Sequence, residues 1–392
     1  MTVHDNEGPM WMSRRAWLQA WAGMVAVPAA WAQGVSAKPT PAAQTTLFED
    51  EGAPVTVFPA PAGERQVLTI DSTTDTDLFA PVIRDFQRRH PAVTVRYADR
   101  QSLEIHARAL RHARLGAAAS QQVALNPDLL ISSSVDLQTQ LANDGLALAH
   151  RSDIARDLPA GAHWRHEVFC LGAEAVVMAY NPRLLPPEQA PQIRAQLLDL
   201  LRRPGGVLQG RVGSYDATVS GLGYLLATQD ARFDSTAGLL QALMGVAGVM
   251  MGDHMVPLID QLERGELALL YNVPASYAQA RIAAGGELRV IYPQDYTLLT
   301  TRAAVIPATA GQPALARQFL DELLAPEGQA LLSRETRLLP IRQAVAAGQD
   351  GRVLAGVDAG LVPVPPGAWR PGAPRCGWPD GAPPGPGARR LA

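Results

Sequence analysis

Lysine is nearly missing from this chain. Lys38 stands alone among 34 basic residues, the other 33 being Arg. The net charge is −3, so the basic excess that nucleic-acid binding requires is absent. The arginine bias reads as GC-rich coding rather than as a phosphate-binding surface. Cysteine is scarce as well. Cys170 and Cys376 are the only two, which excludes a disulfide scaffold and a CxxC zinc or redox site. Long apolar runs are lacking. The segment 16–30 is interrupted by Gln19 and Pro28 and falls short of the roughly 20 apolar residues a membrane helix needs. Catalytic signatures are missing too: there is no G-x-S-x-G elbow, P-loop, G-x-G-x-x-G, H-E-x-x-H or EF-hand loop. No enzyme activity and no cofactor are therefore expected. His163 and His166 are suitably spaced to share a metal, but Arg165 between them and the lack of a third donor favour plain packing.

What is present is a folding composition, 47% hydrophobic and 18% charged over 392 residues. Such a chain buries a core, and its length leaves room for two domains. Its ends differ from its middle. Ser13-Arg14-Arg15-Ala16-Trp17-Leu18, a weakly apolar stretch and Ala30-Trp31-Ala32 are similar to a twin-arginine export signal, assigned to 1–32 with cleavage after Ala32 and delivery to the periplasm. Residues 33–64 are rich in Pro, Ala and Thr and read as an extended linker. Residues 346–392 read as a Pro/Gly-rich tail, the last 32 residues alone holding nine Pro and six Gly. An oxidising compartment would permit a Cys170–Cys376 bond; the other reading is Cys170 packed as a small apolar residue and Cys376 unpaired on the tail.

Between these ends, strand and helix patterns alternate. Short apolar strands are expected at 67–71, 93–97, 128–132, 173–180, 210–215, 267–272, 288–292 and 298–306. Leu78, Phe79, Val82, Ile83 and Phe86 mark one face of a helix that His90-Pro91 stops. Further helices are expected at 102–118, from Val135 to a C-terminal glycine at 145, and at 189–203, 219–229, 236–250, 254–264 and 312–333. Alternation of this kind implies an α/β fold with mostly parallel sheets. Hydroxyl-rich loops follow four of the strands. They contain Ser72, Thr73 and Thr74; Ser132 and Ser133; Tyr215, Asp216 and Thr218; and Asn272, Ser276 and Tyr277. Each could merely cap the helix after it. Four together, at the carboxyl ends of strands and at helix N-termini, read as one binding cleft.

The order of these parts resembles a known family. Phe86-Gln-Arg-Arg-His-Pro91, Asn126-Pro-Asp-Leu-Leu-Ile-Ser-Ser133, Val176-Val-Met-Ala-Tyr-Asn-Pro182, Arg264-Gly-Glu-Leu-Ala-Leu-Leu-Tyr-Asn272, Tyr292-Pro-Gln-Asp-Tyr-Thr297 and Pro326-Glu-Gly-Gln329 carry the likeness. The chain resembles the type II periplasmic solute-binding proteins of ABC importers, nearest the iron(III)-type group. That resemblance implies a two-lobe fold with two inter-lobe crossings, near 173–182 and 292–303. Lobe one would be 65–175 plus 295–345 and lobe two 180–290, with solute held between them. It also implies an ABC permease and ATPase in the inner membrane as partners, and a monomer. A sensing role reporting to a membrane kinase is the alternative function. Iron-binding members commonly carry two adjacent tyrosines after the lobe-two strand. This chain has Tyr271 and Tyr277, five residues intervening. Fe³⁺ prefers phenolate, carboxylate and imidazole, which Tyr215, Asp216, Tyr271, Tyr277 and Tyr296 could offer. A small anionic or organic solute is favoured over ferric iron, and the metal assignment stays open.

Overall fold

A computed structural model describes residues 46–115, 126–159, 161–233 and 235–341. The export signal, residues 33–45 of the expected linker, the tail and Cys376 lie outside the described residues, as do 116–118 of the second expected helix.

The chain opens with a hairpin where composition suggested a linker. Strands β1 (Thr46–Asp50) and β2 (Ala53–Phe58) pair antiparallel. Glu51 and Gly52 turn the corner with φ of 49° and 83°. Positive φ at both central positions is the two-residue turn whose twist matches a hairpin. β2 then lies along β4 (Val93–Asp99), with Val55 opposite Ala98. Charge anchors the hairpin. Asp50 meets Arg100 at 2.7 Å and Arg108 at 2.8 Å, and Arg108 reaches Asp71 at 3.0 Å, both guanidiniums being buried.

The rest of the first lobe follows the expected alternation. β3 (Gln66–Ser72) lies between β4 and β5 (Leu129–Ser132), parallel to both, with Ile70 opposite Tyr97 and Leu129. α1 (Thr76–Arg89) follows β3 and buries Phe79, Val82, Ile83 and Phe86. Burial of each such side chain contributes about 1.5–3 kcal/mol. α2 (Ser102–Leu115) follows β4, and α3 (Val135–Asn143) follows β5. Gly145, at φ +75°, closes α3 in the left-handed conformation that glycine enters at least cost. A single turn, α4 (Asp153–Arg156), leads to the short strand β6 (His163–Trp164). The imidazoles of His163 and His166 stack at 4.2 Å beside Phe169, the packing role expected of them.

β7 (Val168–Tyr180) is the longest strand, and every residue in it is buried. Its first part pairs antiparallel with β12 (Leu299–Val305), from Val168 opposite Val305 to Ala175 opposite Leu299. Its last part pairs antiparallel with β10 (Leu269–Pro274) and β11 (Arg289–Ile291). One strand thus belongs to both lobes. In the second lobe β10 runs parallel to β8 (Val212–Tyr215), and β8 parallel to β9 (Met250–Gly252). Its helices are α5 (Arg194–Leu201), α6 (Gly221–Phe233), α7 (Ser235–Val246), α8 (Met255–Arg264) and α9 (Ala275–Ala283). The chain then returns through β12 to α10 (Pro313–Leu324), α11 (Pro326–Thr336) and β13 (Leu339–Pro340) on the first lobe. Phe319 of α10 meets the edge of Phe86, the ring centroids 4.8 Å apart. Parallel pairing therefore holds at the centre of each lobe, whereas β7 and β12 run antiparallel to their neighbours. The expected helix over 236–250 ends at Val246, and its last residue begins β9.

Cys170 sits on β7 with its thiol pushed up to about 12 by burial. Prereduced folded protein is expected to resist iodoacetamide at Cys170 at pH 8 and to react on urea unfolding, read by peptide mass spectrometry. Rapid labelling while folded would contradict this burial.

Candidate functional site

Six helices begin around one cleft: α1, α2 and α3 from the first lobe, and α6, α8 and α9 from the second. Thr73, Ser133, Tyr215, Ser220, Tyr277 and Arg302 are among the residues lining this space. Unsatisfied N–H groups at helix starts give such a place a bias toward negative charge.

Its centre is an arginine on the second crossing. Arg302 of β12 is 4% exposed. Its Nη2 donates to Glu174 Oε1 on β7 at 3.2 Å, and its Nη1 donates to Thr74 Oγ1 at 2.9 Å. Glu174 Oε2 accepts from the Ser276 backbone N–H at 3.1 Å and from the Ser276 hydroxyl. Across the cleft the Tyr277 hydroxyl donates to Asp75 Oδ1 at 3.1 Å, its ring 5.7 Å from the Arg302 guanidinium. The Nε atom of Arg302 has no hydrogen-bond partner, while the Tyr277 hydroxyl hydrogen-bonds the guanidinium and helps to raise its pKa. Burial opposes the Arg302 charge, yet Glu174 and Tyr277 hold its pKa above the ordinary value. Burial raises the Tyr215 and Tyr277 phenols well above theirs, Arg302 pulling in the other direction.

Of the residues expected from sequence, Thr73, Ser133, Tyr215 and Tyr277 line the cleft. Ser133 N donates to Thr73 Oγ1 at 3.1 Å, joining two loops. Thr74 and Ser276 stand one step back, holding Arg302 and Glu174. Ser72 and Ser132 turn inward, their hydroxyls accepting from Thr74 N and Ser134 N. Asp216 and Thr218 form a turn of their own, with Thr218 exposed and its N–H donating to Asp216 Oδ1 at 2.8 Å. Capping does not consume the loops at α1 and α3, whose N-cap residues Asp75 and Ser134 make no side-chain cap bond.

Asn272 serves the fold rather than the cleft. At φ 60° it forms the bulge in β10 and donates to Asp230 Oδ2 at 3.0 Å. Tyr271 and Tyr296, both considered above as ferric donors, belong to the same knot. Their hydroxyls donate to the fully buried Asp230 at 2.8 Å each, while Arg194 lies 3.4 Å from that carboxylate and donates to Tyr271 Oη at 2.7 Å. Among the described residues no group of three or more His, Cys, Asp or Glu is placed to hold a metal.

Sequence reasoning missed Glu174 and Arg302. The signal was a single charge set inside each of two otherwise apolar strands, Gly172-Ala-Glu-Ala-Val176 and Thr301-Arg-Ala-Ala-Val305.

No curated protein sequence matches the chain. Among solved structures it is similar to a substrate-binding protein of an ABC transporter from Agrobacterium tumefaciens. That match is at 28% identity and a TM-score of 0.70, covering 78% of this chain and 88% of that one. The iron-bound HitA of Pseudomonas aeruginosa shares 19% identity at a TM-score of 0.59, over 75% and 95% of the two chains. AfuA of Actinobacillus pleuropneumoniae, solved with fructose-6-phosphate, shares 15% at 0.59, over 71% and 86%. The last two are alike in fold alone. The family model for bacterial extracellular solute-binding proteins matches residues 68–335, and with its two lobes, two crossings and intervening cleft the chain belongs to that family.

Proposed function

We propose that the protein is the periplasmic solute-capture component of an ABC importer, and that its cargo is a small anionic solute rather than bare ferric iron. The importer assignment is supported by the family match and by the Agrobacterium relative. The observation that carries the cargo reading is Arg302: a buried guanidinium in the cleft wall whose Nε–H has no hydrogen bond, ringed by helix N-termini. An oxyanion satisfies that donor by charge-assisted hydrogen bonding. Fe³⁺ fits less well. The nearby phenol, Tyr277, sits against a cation, and Tyr271 and Tyr296 are committed to Asp230. Release into the membrane permease follows from reopening of the lobes.

The test is calorimetry and thermal shift of protein lacking residues 1–32, with inorganic phosphate, sulfate, sugar phosphates, carboxylates and ferric citrate. One oxyanion should bind. The Arg302→Met/Glu174→Gln pair, which removes both charges together, should keep the fold and weaken binding about 10- to 100-fold, the worth of one or two hydrogen bonds to a charged group. Uptake of one ferric ion with a tyrosinate absorption band, or anion binding indifferent to the double replacement, would overturn the reading.

A further inference from the structure

We propose that Gly221 is the closure stop of the cleft, the point at which the second lobe meets the first and which only a residue without a side chain permits. This inference rests on the two-lobe capture reading. Gly221 opens α6, directly after the cleft-lining Ser220. A Cβ placed on it would lie 2.7 Å from Ser102 Oγ, 2.8 Å from Ser134 Oγ and 3.1 Å from Leu137 Cδ1. Ser102 begins α2, and Ser134 and Leu137 belong to the start of α3, all in the first lobe. Carbon and oxygen do not approach that closely without displacement. Serine hydroxyls on short, buried side chains have little room to yield. The contact continues behind the glycine, where Leu222 and Leu225 of α6 share one apolar cluster with Ile105 of α2 and Val135 of α3. Closure therefore ends where backbone meets two hydroxyls, and a methyl group there wedges the lobes apart. The gap that remains when the wedge is absent sets the size of solute the closed cleft can hold.

Distances between spin labels on the exposed residues Arg156 and Asp199, each replaced by Cys in a Cys376→Ser background, read closure without reference to any solute. Cys170 is buried and is left in place. The parent should show a short-distance population. Gly221→Val should lower the closed-to-open ratio roughly 5- to 150-fold, the range for overpacking a tight contact. Gly221→Ala should lower it less, and adding Ser102→Ala and Ser134→Ala to Gly221→Ala should restore it, a rescue that general misfolding does not give. Gly238→Ala, at a site where a Cβ meets nothing within 4 Å, should match the parent. An unchanged distribution in Gly221→Val, a parent with no short-distance population, or failure of the serine replacements to rescue would each overturn the proposal. If the cargo reading alone is wrong, inorganic phosphate leaves every distribution unaltered while the Gly221 series keeps its order.

Discussion

Replacing Asp230 by alanine is expected to cost the fold about 3–5 kcal/mol, the range for removing one partner of a buried ion pair. Asp230 is fully buried on α6 and accepts from three side chains, Tyr271, Asn272 and Tyr296, besides facing Arg194. Without it, two phenols and an amide lose their acceptor inside the protein. Arg194, itself 1% exposed, keeps only Asp295 at 3.0 Å as an acidic partner. The guanidinium lies 3.5 Å from the centre of the Tyr296 ring, which offsets part of this loss without replacing a counter-charge. Urea unfolding at pH 7 measures the effect. A loss under about 1 kcal/mol would show that water or rearrangement satisfies these groups. Arg194→Met combined with Asp230→Leu should recover part of the stability, because the buried charge then disappears from both sides.

The second large effect concerns pH. Asp99, at the end of β4, is pushed up to about 7, first by burial and then by the neighbouring charge of Asp75. An acid whose folded pKa lies above its unfolded value binds more protons folded than unfolded. Its contribution is complete below about pH 4 and is lost as pH rises through 7. At 1.36 kcal/mol per unit the loss is on the order of 2–4 kcal/mol, after allowance for partial solvent contact. Asp99→Asn should therefore leave stability at pH 4 almost unchanged and raise it at pH 8, flattening the profile between. Chemical denaturation at a series of pH values decides this. Equal effects of the replacement at pH 4 and pH 8 would show that Asp99 titrates normally. Arg302 pulls the Asp99 pKa down, so Arg302→Met should carry the same loss on to higher pH.

Much of the first lobe could be read from residues alone. The β3–α1–β4 run shows why: apolar strands are separated by a helix whose buried positions recur at the helical period. The β1–β2 hairpin was hidden because Pro, Ala and Thr dominate its surroundings. What defines it is a two-residue turn, Glu51-Gly52, and a carboxylate aimed at arginines some fifty residues ahead. Pairing of that kind has no local pattern. The loops of the cleft were legible as hydroxyl clusters at strand ends, yet hydroxyls alone did not reveal which of them turn inward. Ser72 and Ser132 are spent on their own backbone turns, and Asn272 on a bulge. Arg100, Arg108, Arg194 and Arg302 were the hardest to place. Composition assigns arginine to the surface, and only tertiary contact supplies the acidic partners that let a guanidinium be buried.

β7 carries one more consequence. A single uninterrupted strand of thirteen residues is hydrogen-bonded to β12 along its first part and to β10 and β11 along its last. The lobes therefore have no linker to serve as a flexible joint on that crossing. Any opening motion is carried as torsion of a β-ladder around Ala175 and Val176, spread over many backbone bonds and elastic in character. The same continuity binds the halves as folding units. Melting either sheet removes the partner of a strand on which the other depends, so the two lobes should unfold in one transition. The amides of β7 should be among the last in the chain to exchange with deuterium.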